Sequence, residues 1–224
     1  MKHLSYFVLI FILTLQSCSS TKVLNSWKAD QDKVAEFKKK NVLVIARTNN
    51  DQARIAFERE IASQLRAKGI KATESYTKAP KIHANREMTE ERLALIRSLM
   101  DSEGFDAVVI TVVKDKTQTT TTSSSGVYFG ASYSNFYPGY YGGFYDYYSY
   151  PYAYGSYYDS FGGYVPLSTT TRTSTKYVLE TIAYNLDQSS NDQIVAVVTT
   201  SLNDPKNAPK TAKTYVEEIM KSLE

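Results

Sequence analysis

The chain has 224 residues, with 26 lysines and arginines against 23 acids, a net charge of +3 and a single cysteine. So small an excess of positive charge gives no electrostatic footing for a nucleic-acid partner, and one cysteine excludes a disulfide framework. The length suits one domain, or one domain with an insertion, large enough to bury its own core.

Lys2 and His3 open the chain, an apolar run from Tyr6 to Leu15 is broken only by Thr14, and Leu15-Gln16-Ser17-Cys18 closes it. The run is about ten residues, short of the roughly 20 that span a bilayer and matched to the apolar region of a secretory signal. The closing residues resemble a lipobox, with Leu15 at minus three and Ser17 at minus one before the acylated cysteine. Gln16 departs from the small or aliphatic residue usual at minus two. Residues 1–17 therefore read as a lipoprotein signal peptide and Cys18 as the lipidation site; an ordinary signal peptide or an uncleaved anchor is the competing reading. Lipidation also accounts for a lone cysteine in an oxidising compartment. Cleavage removes one lysine and no acid, so the net charge falls from +3 to +2. Two or more acyl chains, such as palmitate, satisfy the two-signal condition for stable membrane anchoring.

Residues 18–41 are polar and lysine-rich, with Trp27 as the chain's only tryptophan and Val34 and Phe37 as isolated apolar positions. This composition reads as a lipidated tether running into a docking segment, with Trp27 packed on the domain and Lys38-Lys39-Lys40 a solvated run. The domain proper is expected over 42–224. Val42-Leu43-Val44-Ile45-Ala46 is the continuous β-branched run of a strand buried on both faces. Asn49-Asn50-Asp51 offers N-cap chemistry, Phe57, Ile61 and Leu65 recur every four residues, and Gly69 supplies a stop, which predicts an amphipathic helix. Arg54 and Glu58 are expected as an i,i+4 pair on its flank, worth a few tenths of a kcal/mol.

Ile70 to Ser75 reads as a second strand and Tyr76 to Met88 as a polar loop holding His83. A helix from about Thr89 turns Leu93, Ile96 and Met100 inward and stops at Gly104, where Asp101, Glu103 and Asp106 are expected to cap a loop. Phe105 to Val113 is an apolar strand continuing as the threonine-rich stretch to Ser125. Leu167 to Leu186 has the matching polarity of an antiparallel partner, which predicts a long hairpin projecting from the domain. Gln193 to Ser201 reads as a strand, and Asn207-Ala208-Pro209 opens a last helix with Ala212, Tyr215, Val216, Ile219 and Leu223 on one face. The expected fold is an α/β (α+β) sandwich, a mixed sheet of about five strands with three helices.

The hairpin carries a tyrosine- and glycine-rich insertion over 126–166, with no lysine or arginine between Thr117 and Thr171. Aromatic surfaces that stack on nucleobases work alongside a cationic groove, so the tract argues against nucleic acid. Three readings stay open: a low-complexity hairpin tip, a surface for protein contact or self-association, and a carbohydrate or peptidoglycan contact. The candidate contact residues are Tyr137, Tyr140, Tyr141, Tyr145, Tyr147, Tyr148, Tyr152, Tyr154, Tyr157 and Tyr158. Excising Gly126 to Pro166 is expected to leave a folded domain.

Only His3 and His83 are histidines, and no phosphate loop, dinucleotide fingerprint, zinc-protease motif or serine elbow occurs. No enzyme activity, cofactor or metal site is therefore expected.

Cys18-Ser19-Ser20 with Trp27, the strand Val42 to Ala46, Arg54 with Phe57-Glu58, Lys68-Gly69-Ile70 with Ser75-Tyr76, Gly104-Phe105-Asp106-Ala107 and the aromatic hairpin together resemble a group of small, uncharacterised Gram-negative envelope lipoproteins. Val195-Ala196-Val197 departs from that group, where a tryptophan stands in the last strand. Such lipoproteins resemble the α/β domains of curli-secretion lipoproteins and the N-terminal domain of the periplasmic Tol-system protein. The resemblance implies protein contacts rather than catalysis. The expected setting is the cell envelope, lipid-anchored at the outer membrane and facing the periplasm, with an unknown envelope protein, a second copy or peptidoglycan as partner.

Overall fold

A computed structural model describes residues 21–78, 89–122, 143–145 and 171–224. In chain order the elements are β1 (Thr21–Lys28), α1 (Gln31–Phe37), β2 (Asn41–Arg47), α2 (Asp51–Ala67), β3 (Lys71–Glu74), a 3-10 turn (Ser75–Thr77), α3 (Glu90–Glu103), β4 (Ala107–Thr122), β5 (Thr171–Asn185), β6 (Ile194–Asn203) and α4 (Ala208–Ser222). The six strands form one sheet in the order β1-β6-β5-β4-β2-β3. β2 runs parallel to β3 and β4, while the β4-β5, β5-β6 and β1-β6 pairs are antiparallel. The α/β class with a mixed sheet is as expected, but there are six strands and, among the described residues, four helices rather than about five and three.

The additional strand and helix, β1 and α1, both lie in the stretch read as a tether. Their concealment has a physical cause. In β1 the register to β6 shifts between Val23 and Asn25, so Leu24 is an extra residue that reverses which face the following side chains meet. Val23 packs with the core on one side of the sheet and Trp27 with the core on the other, whereas an unbroken strand would put both on one face.

The sheet has a core on each side. On one, α2 and α4 bury Phe57, Ile61, Leu65, Ala212, Tyr215 and Ile219 against Val42, Val44, Val109 and Leu179. On the other, Leu43, Ile45, Val108, Ile110, Ile182, Tyr184 and Val197 are covered by Met100 of α3 and by Phe144. β2 contributes to both cores, which is why its five apolar residues run without alternation. Each long helix starts on a side-chain cap: Asn50 Oδ1 accepts from the Ala53 amide at 3.0 Å, Thr89 Oγ1 from Arg92 at 3.4 Å, and Asn207 Oδ1 from Lys210 at 2.9 Å. Gly104 ends α3 in the left-handed region at φ 65°, where a side chain is strained.

β4 and β5 pair from Ala107↔Asn185 at the root to Thr122↔Thr171 at the far end. β2 stops opposite Val112 and β6 opposite Lys176. Beyond that level, among the described residues, β4 and β5 continue as a two-stranded, threonine-rich ribbon.

Candidate functional site

Two places in the fold gather polar or aromatic side chains outside ordinary core packing. The first is a crevice of about 240 Å³ at the carboxyl end of β2, beside the middle of β4. Ligand sites in open α/β sheets form there because the connections leaving parallel strands diverge. Arg47 ends β2 and is buried, Thr111 and Val113 come from β4, Tyr177 from β5, and the first turns of α2 and α4 bring Asn50 and Ala208 with Lys206 just ahead. Both helices present their amino-terminal ends to the space, adding partial positive charge to Arg47 and Lys206. Among the described residues, no carboxylate, imidazole or thiol lines it. Such an electropositive, hydroxyl-bearing crevice can hold a small anion.

Beneath it runs a chain of buried hydroxyls. Thr111 Oγ1 lies 2.7 Å from Thr181 Oγ1, which lies 2.8 Å from the Tyr215 hydroxyl. Tyr215 is fully buried, and burial drives its phenol well above the usual range, against the hydrogen bond with Thr181. The Tyr215 ring meets Phe57 at 5.0 Å between centroids, so this chain is an internal hydrogen-bond network tying α4 to β4 and β5.

Beside the crevice, the Arg54–Glu58 pair differs from its expectation as a weak i,i+4 pair on a helix flank. Both residues are buried, Glu58 completely. Glu58 Oε1 accepts from Arg54 Nε at 3.0 Å, Ser75 Oγ at 2.7 Å and the Ala46 amide at 3.0 Å, while Oε2 accepts from the Tyr76 amide at 2.8 Å. β3 pairs β2 only as far as Val44, so the carboxylate takes up the amide of Ala46 that a longer β3 would have satisfied. The pair is an internal clamp on the β2–β3 edge.

The second place is where the aromatic tract touches the core. Phe144 is fully buried, 5.8 Å from Tyr184 and 5.0 Å from Tyr145 between ring centroids. Its amide donates to Gln193 Oε1 at 2.9 Å. A Cβ on Gly143 would meet Ser190 Cβ at 3.0 Å and Gln193 Oε1 at 3.3 Å, tighter than most such contacts, so a side chain there would require Ser190 or Gln193 to shift. Tyr184 is opposite Val108, next to the root of the hairpin. The chain therefore leaves the far end at Thr122 and is back at the root by Gly143.

Of the residues predicted as a contact surface, Tyr145 alone is among the described ones. It is half-buried, with the Arg97 guanidinium of α3 5.0 Å from its ring centroid. Burial, helped by the nearby Asp101 carboxylate, raises its hydroxyl above the ordinary phenol range. Tyr145 is thus partly spent on packing. Cys18, Tyr137, Tyr140, Tyr141, Tyr147, Tyr148, Tyr152, Tyr154, Tyr157 and Tyr158 lie outside the described residues, as does His83.

No family model and no curated protein matches this chain.

Its acidic cluster does structural work. Asp106 Oδ1 accepts from the Asn41 amide at 2.6 Å, and Glu103 pairs with Lys78 at 2.9 Å. Among the described residues no group of three or more His, Cys, Asp or Glu side chains is placed to hold a metal ion. Sequence reasoning passed over the crevice, since Arg47, Tyr177 and Lys206 come together only through strand order. The available signal was positional: polar residues directly after a parallel strand and before a capped helix.

Proposed function

We propose that this chain is a lipid-anchored lipoprotein of the Gram-negative cell envelope, cleaved before Cys18 and acylated there, and that it acts as a non-enzymatic protein-interaction module. The outer membrane, on its periplasmic side, is the proposed address. The observation that carries the reading is the place of the single cysteine, behind an apolar leader and three residues ahead of Thr21, where the sheet begins. A lipid on Cys18 would hold the folded domain directly against a bilayer. The crevice suits recognition of an anionic group, because among the described residues its lining supplies cations and hydroxyls.

The proposed contact surface is the aromatic tract on either side of the Phe144 attachment. Its tyrosines offer large amphipathic area at low entropic cost. The test is photo-crosslinking in intact cells from Tyr140 and Tyr157, with Tyr145 as the packed control. Discrete protein adducts from the first two positions and few from the third are the expected result. Adducts to peptidoglycan alone would move the reading to a glycan binder, and no adducts from either position would contradict the interaction role.

A further inference from the structure

The geometry points to a second membrane contact, made by the β4–β5 ribbon and distinct from the lipid on Cys18. This inference rests on the proposed anchor. Thr21 pairs with Leu202, Leu202 with Tyr177, and Tyr177 with Lys116, so the start of β1 is level with that row of the sheet. β1 runs from there toward the root at Lys28, which brings the chain into Thr21 from the ribbon end.

Three residue steps separate Cys18 from Thr21 and cover at most about 11 Å when fully extended. From Lys116 the ribbon continues six residues to Thr122, about 20 Å at strand rise. The ribbon therefore reaches about twice as far past Thr21 as the anchor can. Where β1 leads to the bilayer along its own axis, the ribbon end would enter the hydrocarbon, which its many hydroxyls disfavour. Lying along the headgroups relieves the conflict.

Charge at that end fits such a surface. Lys22, Lys116 and Lys206 are exposed there, against the exposed Asp51 and the half-buried Asp115 and Asp204. Asp204 is engaged with the Thr175 amide at 2.6 Å. α2 and α4 also begin at this end, since the crevice beyond β2 is lined by their first turns. At the root, Asp106, Asp187 and Asp192 are ion-paired with Lys40 and Lys33. Lys22, Lys116 and Lys206 thus place exposed positive charge where the ribbon would meet an anionic phospholipid surface. The outward-facing side chains from Thr117 to Thr120 are polar, uncharged and exposed, suited to hydrogen bonding with headgroups.

The test uses the full acylated protein in vesicles of phosphatidylethanolamine and phosphatidylglycerol. With Cys18 acylated, an introduced cysteine is the only free thiol. Environment-sensitive fluorophores are placed at Gln118→Cys and Thr119→Cys, on opposite faces of the ribbon, and at Lys39→Cys near the root. A headgroup-attached quencher is expected to remove most of the fluorescence from at least one ribbon position and to leave Lys39→Cys bright. Both ribbon labels remaining bright on protein that floats with the vesicles overturns the ribbon contact while leaving the anchor intact. Protein that does not float contradicts the anchor itself, and the ribbon contact with it.

Discussion

Replacing Phe144 with alanine should unfold this domain far more readily than any other change in the aromatic tract. Phe144 is fully buried between Tyr184 and Tyr145, and truncation of a buried phenylalanine costs about 3–5 kcal/mol through lost burial and the cavity left behind. Domains of this kind have about 5–15 kcal/mol in total, so the variant would lose a large part of its stability. With a urea slope of about 1–3 kcal/mol per molar, the midpoint should fall by about 2 M, read by near-ultraviolet circular dichroism and tryptophan fluorescence together. Phe144→Leu keeps most of the volume and should cost less than about 1.5 kcal/mol. A loss within about 0.5 kcal/mol for Phe144→Ala, the range of surface substitutions, would refute the seating of the tract on the core. The same seating changes the expected outcome of excising 126–166, since that deletion removes Phe144 and uncovers Tyr184 at the root of the hairpin.

Arg54→Leu strands the fully buried Glu58 carboxylate and should cost about 3–5 kcal/mol in chemical denaturation. Adding Glu58→Leu should not restore stability, because Glu58 also accepts from the Ala46 and Tyr76 amides; full recovery in the double variant would show that the charge pair alone matters. Lys40 titrates above its usual value of 10.5, chiefly through its hydrogen bond with Asp187 and further through Asp106 and Glu36. A raised lysine stabilises the fold fully below the unfolded value and loses that contribution as pH climbs through the folded one. Melting temperature should therefore fall more steeply above pH 10.5 in the wild type than in Lys40→Met, and parallel curves would contradict this role.

The elements legible in the sequence are those whose pattern needs no knowledge of their neighbours. β2 is an unbroken apolar run because both its faces are covered, and α2 and α4 repeat with helical spacing because each turns one stripe to the sheet. Gly69 and Gly104 mark helix ends because both adopt positive φ. What was hidden depends on partners. The bulge at Leu24 scrambles the alternation of β1, and the seven-residue α1 buries Phe37 alone. Arg54 and Glu58 look like a surface pair until β3 is seen to stop at Glu74. Phe144 is one of four phenylalanines in the tract, and nothing local distinguishes it; the close approach at Gly143 and the side chain of Gln193 select it. Tyr145 shares the composition of its neighbours yet packs beneath Arg97.

The central claim is that Cys18 carries the lipid that holds this domain to the envelope. Growing cells on an alkyne-bearing fatty acid, then purifying the protein and coupling a fluorophore to the alkyne, tests it directly. Wild-type protein should be labelled and partition into detergent, while Cys18→Ser should be unlabelled and aqueous. Unlabelled wild type, or label retained in Cys18→Ser, would contradict the account.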